Sequence, residues 1–194
     1  MQIFTVGDLT NQMMEGFRLP SRLLSVLKEL ATARQHLINV DPAYDPMVHG
    51  ELTAVGAFSA AAAKSGYLTL VEANAKRDGA RSGRHDLILI DREGPSTAIV
   101  EFKIGWPNER KPNYIKGLLA AAVADVTARD FATDCIRLGI AIYVPWQAGS
   151  SKMPENFAQS AIDWATTCAE EDGAHLSIRI DSSKGPLLIS IASA

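Results

Sequence analysis

The chain has 194 residues, 47% hydrophobic and 21% charged, which fits one soluble domain able to bury its own core without disulfide or metal staples. A net charge of −3 argues against a nonspecific polycationic nucleic-acid binder. Cys135 and Cys168 have neither metal-ligand spacing nor the numbers for a disulfide framework, so a reducing cytoplasm is the expected home.

The start MQIFTVGDLTNQMMEGF lacks the basic-then-apolar order of a secretory signal. The richest apolar run, GLLAAAVA, is too short to cross a bilayer, so no membrane partner is expected. Residues 20–38 carry leucines at helical spacing (Leu23, Leu24, Leu27, Leu30, Leu37) behind a Pro20-Ser21 start signal. The loop NVDPAYDPMVHG follows, its two Asp-Pro steps discouraging helix. Residues 51–65 read as a helix of small side chains, suited to close approach to a sheet, and YLTLVEANA (67–75) reads as a strand.

After the basic loop KRDGARSGR comes a hairpin of strands 86–91 and 97–104, turning near Gly94-Pro95. A helix over NYIKGLLAAAVADVTARDFA, a buried strand at 136–146, a helix at 155–171 and two closing strands, HLSIRIDS and PLLISIAS, complete the chain. The expected class is α/β: a central mixed sheet flanked by helices, with a helical extension over residues 1–48. The connection between the strands ending at 104 and beginning at 136 contains a helix and suits a parallel crossover.

The hairpin is unusual at one end. Its first strand opens with Asp86 and its second ends in Glu101-Phe102-Lys103. With Asp91 facing roughly Thr97, paired residue numbers sum to about 188, and Asp86 falls opposite the Phe102 neighbourhood. Alternation sends Glu101 and Lys103 to one face and Phe102 to the other. Both faces of the first strand are apolar, so charges at its end are partly desolvated and must be paired or hold an ion. Two nearby carboxylates suit a hard cation such as Mg²⁺. A lysine beside them can orient or help deprotonate a water and offset charge on a phosphorane-like transition state. Between residues 76 and 116, nine basic residues stand against six acids, so positive charge gathers around this hairpin.

An acid on one strand followed by acid-x-Lys on the next resembles the PD-(D/E)XK nuclease superfamily, the restriction endonuclease-like group. The expected order of helix, three antiparallel strands, helix and strand is similar to that family's core. The resemblance spans roughly residues 50–145, with residues 146–194 left as a C-terminal helix and strands. It implies a nuclease hydrolysing phosphodiester bonds, with DNA as the nucleic-acid partner and Mg²⁺ or Mn²⁺ as cofactor. Asp86, Glu101 and the main-chain oxygen of Phe102 would hold the metal. Lys103 would handle the water, and Glu51 would bind metal indirectly or hold Lys103. Lys116, Arg84 and Arg81 are candidate phosphate contacts. One departure is His85, where the family often has proline before the aspartate. Cutting both strands of a duplex usually takes two sites, which makes a homodimer a reasonable expectation.

Blander readings stand beside these. Glu101 and Lys103 can be an ion pair closing a strand end, Glu51 a complement to a helix N-terminus, and Lys116 a solvated lysine. Glu72 can face the same cleft or solvent. The four histidines show no ligand spacing, and Trp106 and Trp146 can pack or line a cleft mouth. A nuclease-like fold serving as a non-catalytic interaction module, with a protein partner in defence, toxin neutralisation or regulation, is the alternative function.

Overall fold

A computed structural model of the chain describes residues 3–6, 20, 22–77, 82–107, 115–130, 134–145 and 155–194. Within them the expected α/β organisation is present, and one mixed sheet runs through the molecule. Its six long strands are β2 (Tyr67–Arg77), β3 (Ser82–Asp91), β4 (Thr97–Gly105), β6 (Ile136–Tyr143), β7 (Leu176–Ile180) and β8 (Leu187–Ser193). Two short strands, β1 (Ile3–Val6) and β5 (Arg129–Asp130), join at the ends to give the order β1-β7-β8-β6-β4-β3-β2-β5. β4 and β6 pair in parallel; the other neighbours are antiparallel.

Helices cover both faces. α1 (Leu23–Val40) buries Leu23, Val26, Leu27, Leu30, Ala31 and Ile38, a stripe at three- and four-residue spacing. With Ala54, Val55, Phe58, Ala61 and Ala62 of α2 (Glu51–Lys64), it packs on Val100, Phe102 and Ile104 of β4 and Leu138, Ile140 and Ile142 of β6. On the opposite face lie α3 (Leu118–Thr127) and α4 (Glu155–Glu171), with Leu119, Ile162, Ala165 and Cys168 against Ala141, Tyr143 and Leu188. Cys135 and Cys168 are free thiols. Among the described residues no helix is long and apolar enough to cross a membrane.

Two boundaries differ from the sequence reading. The extension over residues 1–48 is not purely helical, because β1 precedes α1 and pairs antiparallel with β7. That pairing joins residues more than 170 positions apart, and no local pattern reports it. The helix expected to continue to residue 132 stops at Thr127, where Arg129 and Asp130 turn to pair with Arg77 and Lys76 of β2. Apart from that pairing, the outer edge of β2 meets no other strand among the described residues, and Glu72 within it has a positive φ of 51°.

A buried ion pair fixes the approach to α2. Arg34 of α1 donates to Asp45 from Nε and Nη2 (2.7 Å for Nη2 to Oδ2), and both side chains are almost fully buried. Asp45 also accepts the amide of Met47, and the Met47 carbonyl accepts the indole N–H of Trp106 at the end of β4. Trp106 therefore packs, the blander of its two readings; Trp146 lies outside the described residues. Gly50 then takes φ 111°, a conformation that favours glycine, and sets Glu51 as the first helical residue.

Removing one partner of a buried, hydrogen-bonded pair strands the other charge. Asp45→Ala is therefore expected to cost about 3–5 kcal/mol of unfolding free energy in urea titration. A loss below about 1 kcal/mol, typical of exposed pairs, would show that the bridge is not structural.

Candidate active site

The β3–β4 ladder runs from Ile90↔Thr97 to Leu87↔Val100, so paired numbers sum to 187, one less than the sequence expectation. Continuing that register one step sets Asp86 against Glu101. There the ladder ends and a side chain takes over: Asp86 Oδ2 accepts the Phe102 amide N–H at 2.8 Å. On the other flank of β3, pairing with β2 passes from Val71↔Leu87 to Ala73↔His85, skipping Glu72 and Asp86. Asp86 thus stands where pairing with β4 ends and pairing with β2 skips a step before resuming from His85 to Ser82.

Alternation along β4 sorts the motif as expected. Phe102 enters the core beneath α2, edge-on to Phe58 with ring centroids 5.1 Å apart. Glu101 and Lys103 take the α3 face but have different fates. Glu101 is fully buried, its Oε1 3.4 Å from Nδ1 of an equally buried His85. Across the parallel ladder, Gly139 of β6 stands in register with Glu101. A Cβ on Gly139 would come within 2.6 Å of the Val123 amide nitrogen, so α3 sits on the sheet where only glycine fits. Lys103, two residues on from Glu101, reaches the rim and places Nζ 2.8 Å from Oδ2 of Asp125 on α3.

Glu51 closes the group from the α2 side. Burial raises its carboxyl above the usual range; Lys103 pulls it down, Asp86 pushes it further up, the Ile104 backbone hydrogen-bonds it, and Asp125 adds repulsion. For Lys103 the balance is reversed. Burial works against the ammonium, but the hydrogen bond and charge of Asp125, then Glu51 and Asp86, outweigh it and raise its pKa. Lys103 is therefore an ammonium at neutral pH. Glu51, Asp86 and Asp125 surround this one cation.

Of the expected site residues, the structure brings Glu51, Asp86 and Lys103 into one electrostatic group and sets Glu101 behind them against His85. Lys116 is exposed on the turn before α3, and Arg84 is exposed and paired with Glu72 at 2.8 Å. Glu72 accordingly faces outward. Arg81 lies outside the described residues. His49 contacts the Ala43 carbonyl, so it is engaged by backbone.

The sequence reading missed Asp125 and the partnership of His85. Asp125 had a signal: it is the sole charged residue of LLAAAVADVT, and a lone acid on a small-residue helix facing a sheet requires a partner. His85 had none beyond the replaced proline.

No three His, Cys, Asp or Glu side chains among the described residues come close enough to enclose a metal ion alone. Mg²⁺, however, takes one or two carboxylates and keeps several waters. Burial, with Asp86 and Asp125 adding repulsion, disfavours the ionised Glu51 carboxylate, and a divalent cation nearby would favour it.

A raised carboxyl pKa means that the folded chain binds this proton more tightly than the unfolded one. The resulting stability is complete below about pH 4.5, the ordinary Glu value, and is lost as pH rises through the folded pKa. Melting temperatures of Glu51→Gln and wild type are thus expected to diverge in the mutant's favour between pH 4 and pH 7. A difference that is flat with pH, or moves the other way, would contradict this balance of charges. No protein-family model, curated protein or solved structure matches the chain.

Proposed function

We propose that the chain is a Mg²⁺-dependent nuclease of the PD-(D/E)XK kind that hydrolyses phosphodiester bonds in DNA. The observation that carries this reading is the meeting of Asp86, Lys103 and Glu51 where β3 and β4 part, with Glu101 one ladder step across from Asp86. The order α2-β2-β3-β4-α3-β6, with β4 and β6 parallel, supports it as well, being the order the resemblance implies.

Asp86 and Glu101, with the main-chain oxygen of Phe102, would hold the cation, and Glu51 would serve it through water. Mg²⁺ or Mn²⁺ held there supplies a Lewis acid and lowers the pKa of a coordinated water. Lys103, as an ammonium, orients the attacking water by donating to it and offsets the charge that grows on the phosphoryl oxygens. Its charge state assigns it electrostatic work rather than proton abstraction.

One observation favours a second reading, the non-catalytic interaction module. Glu101 and Lys103 both have protein partners, His85 and Asp125, as they would in a motif reduced to structure.

The two readings separate cleanly. Purified protein is expected to cleave DNA with Mg²⁺ and to stop with EDTA. Asp86→Asn keeps an acceptor for the Phe102 amide while removing the charge, so it is expected to fold normally and lose cleavage by about 100-fold or more, and Lys103→Ala likewise. Wild-type rates in both variants would end the nuclease reading; no cleavage and no metal binding by wild type would favour the module.

A further inference from the structure

Lys103 is the reacting cation of the proposed site, yet none of the motif acids is its ion-pair partner. That partner is Asp125, which belongs to α3, a helix outside the acid and acid-x-Lys pattern. We infer that Asp125 is a positioning residue for phosphodiester hydrolysis, fixing the Lys103 ammonium at the rim of β4 so that Glu51 is left to serve the cation; the inference rests on the nuclease reading above.

Three features support it. The Nζ–Oδ2 distance of 2.8 Å is that of a charge-assisted hydrogen bond, and both side chains are only partly exposed. The position of Asp125 is imposed, not incidental. α3 is seated on β6 by the absence of a side chain at Gly139, and its N-terminus is tied down by Asp172, whose Oδ2 accepts the amides of Leu119 and Ala120. A carboxylate on an element held at both places keeps a long, flexible lysine in one arrangement. Finally, Asp125 is the sole charged residue of α3 and meets the sole lysine of β4. A solvated surface pair requires neither condition.

Asp125 touches no substrate in this scheme, so its removal should lower turnover and leave binding unchanged. Single-turnover cleavage by Asp125→Ala is expected to fall roughly 10- to 100-fold, the effect of misplacing one catalytic group. KM for DNA and calorimetric Mn²⁺ affinity should stay within about twofold, since uniform binding is not lost. Asp125→Glu restores the carboxylate and should recover most of the rate, whereas Asp125→Asn should not. Modification of Lys103 by an amine-reactive reagent at fixed neutral pH, read by mass spectrometry against exposed Lys28, should rise in Asp125→Ala whether or not the protein cuts DNA.

An unchanged rate in Asp125→Ala, a loss confined to KM, or no recovery with glutamate would overturn the inference while the nuclease reading stood. Wild type without Mg²⁺-dependent cleavage would remove both. Increased labelling of Lys103 in that case would establish the ion pair as structural only.

Discussion

The site depends on a missing side chain. Gly139 leaves a space on β6, and the backbone of α3 at Val123 fills it. Close approach of a helix to a sheet removes water from the face it covers, and Glu101 of the neighbouring β4 is fully buried. The same seating brings Asp125 over the end of β4, within reach of Lys103. One backbone contact therefore sets the seat of α3 and the partner of one ammonium. Any side chain at residue 139 would lift the helix and loosen both.

A second constraint acts from the opposite face. The Arg34–Asp45 bridge holds the loop that delivers α2, and Gly50 starts that helix with Glu51 in its first turn. Burial and neighbouring acids make ionised Glu51 costly, and the cost is tolerated because the surrounding core is well filled. Proteins commonly keep such local conflict where chemistry is done, since a group at ease in the free protein gains little from a ligand. The charge pattern around Lys103, three acids to one base, has that character.

Much of this was legible in the sequence, and the part that was not has a physical explanation. The alternation at Glu101-Phe102-Lys103 came through because period two is a local property, whereas the hairpin register was off by one residue, which sets Asp86 across from Glu101 rather than Phe102. The parallel crossover from β4 to β6 followed from a connection that had to contain a helix. What stayed hidden were contacts between segments far apart in the chain. β1 on β7, the arrival of Asp125 at Lys103 and the burial of Glu101 against His85 are decided by packing, and a pattern of residues says nothing about which helix covers which strand. The end of α3 at Thr127 was missed because nothing in ARDFA marks a stop; pairing with β2 supplies it.

The kink at Glu72 matters for how this protein behaves in concentrated solution. β2 is eleven residues long and borders the sheet for most of its length, with Leu68, Leu70 and Val71 all exposed. An edge of that kind invites a strand from another molecule to add on, the first step toward fibrils. Left-handed backbone at Glu72 breaks the straight ribbon after five residues, so an incoming strand would find no continuous row of partners there. The irregularity that helps expose Asp86 on the inner flank thus also acts, on the outer one, as a guard against self-association.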